Sequence, residues 1–175
     1  PPPPHPPRPA PPKARADGDL RVVGPASLLW DPGVRFPEVP RARAPEYARR
    51  VIIRDIYGGR GDAENPGLMA ALDDGDGCEG LAFRIEAANV EEETARLWAR
   101  EQVGPAYAPR FIDVTLSDGP GVALTFVADH EAELIDGDIS REDQVRFLAT
   151  GPGFFGTSLE YIRNLAEHFD ALGVE

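Results

Sequence analysis

The residues best suited to chemistry lie at the end of a predicted helix, in the segment Leu97-Trp98-Ala99-Arg100-Glu101. Glu101 follows Trp98 by three positions and Leu97 by four, so all three share one face of a helix that begins near Asn89. A carboxylate among apolar side chains loses hydration, which favours the protonated form and suits a general base. The alternative is a boundary residue that reaches water, the usual place of a carboxylate in an acidic protein.

A second candidate is the loop that follows the first predicted strand, which spans residues 20–23. We call this segment, from Gly24 to Leu28, the first loop. Gly24-Pro25-Ala26-Ser27 ends that strand and is followed by Leu28. A loop of this kind leaves backbone N–H groups and one hydroxyl at a strand end, where they can bind an anion or a carbonyl oxygen. The alternative is an ordinary tight turn that leads to a core tryptophan, Trp30.

The remaining strands are predicted from short β-branched and apolar segments. A buried strand is expected at residues 49–57, after an irregular proline- and arginine-rich connection that ends at Pro45. Gly58 to Gly67 reads as a glycine-rich loop without the spacing of a nucleotide-binding motif. One hairpin is expected to join residues 67–72 to 79–85, and another to join 111–116 to 121–127.

Two further helices are predicted from their capping residues. Ser140 and Asp143 open a short helix that ends at about Ala149. Thr157 and Glu160 form a capping box for the last helix. Together these elements predict a single α+β domain, with about six strands in a mixed, barrel-like sheet and helices packed outside.

Composition limits the class of partner. The first sixteen residues contain nine prolines and three cations, and removing those cations from the formal net charge of −12 leaves −15 on the rest. We therefore expect a disordered proline-rich tail at residues 1–18 and a folded domain at 19–175. A domain with this negative charge repels phosphate backbones and anionic lipids. We therefore expect neither a nucleic acid nor a membrane as a partner.

Metals, cofactors and targeting signals are not indicated either. The chain has one cysteine, Cys78, and three scattered histidines, which excludes an internal disulfide and gives no zinc-binding spacing. No apolar run is long enough for a membrane span or a signal peptide, so the expected location is the cytoplasm. We expect no metal and no cofactor, and oligomeric state is left open.

Taken in order, the segments from about residue 21 to residue 175 resemble the ChaC family of γ-glutamylcyclotransferases, which release 5-oxoproline from glutathione. The resemblance rests on five groups of residues: Val22-Val23-Gly24-Pro25-Ala26-Ser27-Leu28-Leu29-Trp30, Gly59-Arg60-Gly61 with Pro66-Gly67, Leu97-Trp98-Ala99-Arg100-Glu101 with Tyr107, Ala123-Leu124-Thr125-Phe126-Val127-Ala128-Asp129, and Gly156-Thr157-Ser158-Leu159-Glu160-Tyr161. Their order and spacing together carry it.

The resemblance implies a γ-glutamylcyclotransferase-like fold, a small-molecule γ-glutamyl substrate, and Glu101 as the catalytic general base. The residues implied in substrate binding are Val22, Val23, Gly24, Pro25, Ala26, Ser27, Leu28, Tyr107 and Tyr161. Members of the family usually read Gly-Tyr-Gly-Ser-Leu where this chain reads Gly24-Pro25-Ala26-Ser27-Leu28. The alternative function is therefore a catalytically weakened relative that binds γ-glutamyl compounds or a protein partner.

Overall fold

A computed structural model describes residues 18–24, 41–101 and 106–172 of the 175-residue chain, without the side chains of residues 100, 101, 171 and 172. The predicted tail and most of the first loop lie outside these ranges. The described ranges hold one seven-stranded sheet and three α-helices.

Five of the strands form a closed ring. The strands are β1 (Leu20–Gly24), β2 (Arg41–Ala44), β3 (Tyr47–Tyr57), β4 (Asp62–Asp74), β5 (Cys78–Ile85), β6 (Tyr107–Leu116) and β7 (Gly119–Ala128). Neighbours run in the order β1, β5, β2, β6, β7, and β7 pairs again with β1. The predicted α+β class with a barrel-like sheet is confirmed, with seven strands in place of about six.

β4 and β3 extend the sheet beyond the ring. One edge of β7 pairs antiparallel with β6 along its whole length. The other edge pairs in parallel with β1 at Leu124 and with β4 at Val127, and β3 lies on the far side of β4. Because β1 and β4 share one edge of β7, the two strands must separate from each other beside it.

The predicted hairpin between residues 67–72 and 79–85 is wrong. β4 pairs with β3 and β7, whereas β5 pairs with β1 and β2. The chain leaves the ring at Pro45 and Glu46 and returns to it at Gly75, whose N–H donates to the Glu46 carbonyl at 3.0 Å. The acidic turn therefore carries the chain back into the ring, although neighbouring strands in sequence usually pair.

Two irregular segments of the sequence are more regular than predicted. β2 (Arg41–Ala44) falls within the connection expected to have no regular structure. Its alternate residues Ala42 and Ala44 are buried, whereas Arg41 and Arg43 face solvent, as the period of two in a strand requires. Four residues with only two alanines on the apolar side give too weak a signal to predict a strand. Strand β4 starts at Asp62, so the predicted glycine-rich loop is confined to residues 58–61.

Helices α1 (Val90–Glu101), α2 (Arg141–Thr150) and α3 (Ser158–Leu172) follow the predicted segments. The Ser140 hydroxyl accepts from the Asp143 N–H and caps α2, as predicted. The N–H of Thr157 donates to the Glu160 carboxylate at 2.8 Å, and the N–H of Glu160 donates to the Thr157 hydroxyl at 3.1 Å, which confirms the capping box of α3. None of the helices in the described ranges has the length and apolar content of a membrane span.

A buried carboxylate fixes the segment after β7 to β4. Asp73 is 6% exposed, and its two oxygens lie 2.7 Å from Nε2 of His130 and 2.8 Å from a guanidinium nitrogen of Arg50. Arg50 also donates to the Gly137 carbonyl at 2.8 Å. Burial alone would raise the pKa of Asp73, but hydrogen bonds from His130, the Asp74 backbone and Arg50 outweigh it and lower the pKa.

We expect Asp73→Asn to lower the free energy of unfolding at pH 7 by about 1–3 kcal/mol, because charge-assisted hydrogen bonds are lost. Because the pKa of Asp73 is lower in the folded state, its ionised carboxylate stabilises the fold at pH values above the ordinary pKa of a carboxyl group. This stabilisation is lost as the pH falls through the folded-state pKa. The difference in free energy of unfolding between wild type and Asp73→Asn should therefore become smaller below about pH 4. Urea unfolding at several pH values measures this, with Asp118→Asn as an exposed control of little effect.

Candidate functional site

The sheet opens where β1 and β4 separate beside β7. Val22 is the β1 residue paired with Leu124, and Leu72 is the β4 residue paired with Val127. The backbone groups that face the opening need other partners, because buried N–H and C=O groups are almost always hydrogen-bonded. On the β1 side, the hydroxyl of the fully buried Thr125 donates to the Val23 carbonyl at 2.9 Å.

On the β4 side, three hydroxyl groups take the place of a neighbouring strand. The Leu68 N–H donates to the Ser158 hydroxyl at 3.0 Å, and the Ala70 N–H donates to the Tyr161 hydroxyl at 3.1 Å. The Tyr107 hydroxyl donates to the Ala70 carbonyl at 3.1 Å. Leu68 and Ala70 are alternate residues, so their backbone groups face the same edge of β4.

Tyr107 and Tyr161, both implied in substrate binding, are thus brought to the same residue of β4, Ala70. Tyr161 is 3% exposed and belongs to the main hydrophobic cluster, whereas Tyr107 is half-buried at its edge. Because the Tyr161 hydroxyl accepts from Ala70, its own O–H is directed away from the β4 edge.

The last turns of α1 pack on this opening. Leu97 is 4% exposed and lies in one hydrophobic cluster with Val22, Ala70 and Phe126. Trp98 packs against the same cluster, with its ring centroid 6.1 Å from that of Phe126. Glu101, the implied general base, is the last residue of α1, and its side chain lies outside the described residues.

The first loop also starts here, because β1 ends at Gly24. Val22 and Val23 are 1% and 3% exposed and enter separate hydrophobic clusters, so the side chains of both belong to the core. The substrate binding that the resemblance implies for them would therefore have to use their backbone groups. Four of the residues implied in substrate binding lie outside the described ranges: Pro25, Ala26, Ser27 and Leu28.

The glycine-rich loop, residues 58–61, is joined to α3 at the other side of the opening. The N–H groups of Phe154 and Phe155 donate to the carbonyls of Gly58 and Gly59 at 2.7 and 3.0 Å. The Ser158 hydroxyl, which accepts from Leu68, donates to the Arg60 carbonyl at 2.8 Å. Ser158 therefore links this loop to the open edge of β4.

Arg60 extends from this loop over Tyr161. Its guanidinium carbon lies 5.3 Å from the Tyr161 ring centroid, and one guanidinium nitrogen donates to the Phe155 carbonyl. Burial lowers the pKa of Arg60, and nearby negative groups that include Asp55 partly offset this effect.

Neither Arg60 nor Ser158 was predicted as a site residue from the sequence. The available signals in the sequence were a cation between two glycines for Arg60 and, for Ser158, a hydroxyl directly after the capping residue Thr157.

We expect Ser158→Ala to lower the free energy of unfolding by about 1–3 kcal/mol, because a buried N–H and a buried carbonyl lose their partner. Thermal or urea unfolding measures the change. Ser140→Ala is the matched control, since it removes an exposed helix cap and should cost about 1 kcal/mol. A Ser158→Ala variant less destabilised than this control would contradict the bridging role.

Comparisons with known proteins agree on one family. A sequence model of the family described as ChaC-like protein matches residues 20–175. A glutathione-specific gamma-glutamylcyclotransferase of Escherichia coli is 29% identical over 160 residues, which cover 91% of this chain and 69% of that protein. Glutathione-specific gamma-glutamylcyclotransferase 1 of Danio rerio is 30% identical over 153 residues, covering 85% of this chain and 78% of the relative.

The fold is also found in a solved structure. A crystal structure of a gamma-glutamyl cyclotransferase specific to glutathione, from yeast, superimposes with a TM-score of 0.78. It covers 87% of both chains at 18% sequence identity, so the likeness concerns the fold.

Proposed function

The chain belongs to the ChaC-like protein family, and we propose that it is a γ-glutamylcyclotransferase that releases 5-oxoproline from glutathione or a related γ-glutamyl amide. The observation that carries the proposal is the family match over residues 20–175. The names of the bacterial and fish relatives support glutathione as the substrate. An opening lined by apolar side chains and tyrosine hydroxyls supports a buried site for a small polar molecule.

The reaction is an intramolecular exchange of one amide bond for another. The substrate's α-amine attacks its own γ-carbonyl carbon, a C–N bond forms within the new five-membered ring, and the original amide C–N bond breaks. The α-ammonium must lose one proton before it attacks, the ring nitrogen must lose a second proton once the new C–N bond has formed, and the departing nitrogen must gain one. Holding the glutamyl chain folded supplies much of the rate, because both reacting groups belong to one molecule.

In this proposal Glu101 takes the first proton and supplies the one that the departing nitrogen gains, and the second proton of the ring nitrogen passes to solvent. It accepts a proton from the α-ammonium and returns one to the nitrogen of Cys-Gly as that product leaves. Support comes from its position four residues after Leu97, at the end of a helix whose last turns pack on the opening. An apolar neighbourhood weakens carboxylate hydration and makes the group a better base.

The first loop and Tyr161 bind the glutamyl part. Backbone N–H groups near Ala26, Ser27 and Leu28 stabilise the oxyanion that forms on the γ-carbonyl, and Ser27 or Tyr161 holds the glutamyl carboxylate. The position of the Tyr161 hydroxyl, at the open edge of β4, supports this assignment. Tyr107 donates to the carbonyl of Ala70, the residue whose N–H bonds Tyr161, and so helps to hold Tyr161 in place.

The test is to incubate the purified protein with glutathione and to quantify 5-oxoproline and Cys-Gly by mass spectrometry. Equal amounts of the two products are expected. No product from glutathione or from a panel of γ-glutamyl amines, at high enzyme concentration, would overturn the proposal.

A non-catalytic relative is the second candidate, because Pro25 and Ala26 replace residues usual in the family's first loop. Pro25 removes a backbone donor, and Ala26 adds a Cβ where the family has glycine. Calorimetry that detects glutathione binding to a protein without turnover would favour this candidate.

We also propose that the enzyme works in the cytoplasm with small γ-glutamyl compounds as its partners. The predicted division into a tail at 1–18 and a domain at 19–175 is part of the same proposal. Cell fractionation that finds the protein with membranes or outside the cell would contradict the location.

A further inference from the structure

Arg60 is held at both ends of its backbone. Its N–H donates to a carboxylate oxygen of Asp55, and its carbonyl accepts from the Ser158 hydroxyl at 2.8 Å. Asp55 and Ser158 are 6% and 0% exposed, so both supports are buried. The main chain of the glycine-rich loop therefore gives this arginine a fixed starting point.

The guanidinium is fixed as well. It lies 5.3 Å over the Tyr161 ring, which favours a cation above its face, and it donates to the Phe155 carbonyl. The half-buried side chain thus loses little further freedom when a ligand binds, which is the condition for tight recognition.

The charge of this guanidinium is not matched by an ion pair within the described residues. The nearby carboxylates serve other groups, since Asp55 accepts from the backbone N–H groups of Tyr57 and Arg60, and Glu160 accepts from Thr157. A guanidinium has five N–H donors, and the hydrogen bond described above uses one of them. Such a fork matches a carboxylate in size and geometry, so the chemistry favours a carboxylate ligand.

The two ends of a γ-glutamyl peptide must lie in different places. Its α-amine and α-carboxylate share one carbon, so in the proposed function the carboxylate binds Ser27 or the Tyr161 hydroxyl while the amine faces Glu101. Arg60 is held by the glycine-rich loop and α3, and its half-buried side chain lies over the face of the Tyr161 ring. The two departing residues of glutathione span at most roughly 7 Å, which is enough to reach from beside Tyr161 to Arg60 at 5.3 Å from its ring.

We propose that Arg60 binds the C-terminal carboxylate of the departing peptide and so selects γ-glutamyl peptides over γ-glutamyl amines that lack this group. The inference rests on the proposed function and adds to it a determinant of substrate class. Arg60 takes no part in the proton transfers.

The test compares two substrates and three proteins. The substrates are glutathione and its C-terminal amide, which differ only in the carboxylate, and the proteins are wild type, Arg60→Met and Arg163→Met. Arg163 is an exposed residue of α3, so its variant matches the change in charge. We expect Arg60→Met to lower kcat/KM for glutathione roughly ten- to hundred-fold, mainly through KM, as for loss of a charged hydrogen bond.

The amide substrate should change less than about three-fold with Arg60→Met, and Arg163→Met should change neither substrate, because both lack the proposed contact. Equal losses for the two substrates would overturn the proposal, since a structural role or an α-carboxylate contact affects both. Wild-type enzyme that does not prefer glutathione over the amide would also overturn it, whether or not the Arg60 variant folds.

Calorimetry separates this proposal from the proposed function. If wild type turns over neither substrate, the proposed function fails, while binding of the two compounds to wild type and Arg60→Met still tests the carboxylate contact. A wild-type preference for glutathione that the variant loses supports the contact, and equal binding or no binding of the two compounds overturns it.

Discussion

Glu101→Gln should reduce the rate of 5-oxoproline formation from glutathione roughly 100- to 10,000-fold, the range for loss of a general acid–base. The amide keeps the size of the side chain and its place at the end of α1 but cannot accept the α-ammonium proton. The loss should fall on kcat, because binding contacts with the first loop and Tyr161 remain. Product formation under saturating glutathione measures it.

The matched control for this experiment is Glu92→Gln on the same helix. Glu92 forms an exposed ion pair with Arg96, one turn away, and such pairs contribute little to stability or function. Its activity should stay within about two-fold of wild type, as expected for an exposed surface pair. Turnover of Glu101→Gln at the wild-type rate would show that another group removes the proton.

Gly61→Ala should lower the free energy of unfolding by about 3 kcal/mol or more, because the added methyl group has no space. A Cβ at Gly61 would lie closer than the 3.0 Å that Cβ atoms require to the backbone of Pro66 and Gly67. The atoms that the new methyl group would meet belong to the backbone of residues 66 and 67, so no flexible side chain can move out of its way. The loop that carries Arg60 should therefore shift, and activity should fall with stability.

Chemical unfolding of Gly61→Ala and Gly119→Ala makes the comparison. Gly119 has φ of +117° and open space around its Cβ position, so alanine there costs only backbone strain, about 1–2 kcal/mol. Equal destabilisation of the two variants would contradict the close packing inferred for Gly61.

Local signals in the sequence predicted the elements whose partners are close in the chain. The Thr157 and Glu160 capping box and the Ser140 cap involve residues three positions apart, and both are present. The hairpin of β6 and β7 was predicted from two apolar strand segments on either side of the turn Ser117-Asp118-Gly119-Pro120, and the two strands pair along their whole length.

Pairing between distant strands was not predictable in the same way. Residues 67–72 and 79–85 have the composition of a hairpin, yet their partners are β3 and β7 for the first strand and β1 and β2 for the second. Several strands can satisfy the same backbone groups, and closure of the ring decides among them. The short β2 shows the same dependence, because its four residues become a strand only between β5 and β6.

The sequence by itself determined the fold class, the caps of α2 and α3, and the extent of α1 up to Glu101, because these depend on composition and on spacings of a few residues. Tertiary structure decided what surrounds the opening in the sheet. Only the sharing of one β7 edge by β1 and β4 leaves the N–H and the carbonyl of Ala70 to Tyr161 and Tyr107. The same packing places Arg60 over Tyr161, from 101 positions away in sequence to a ring 5.3 Å distant.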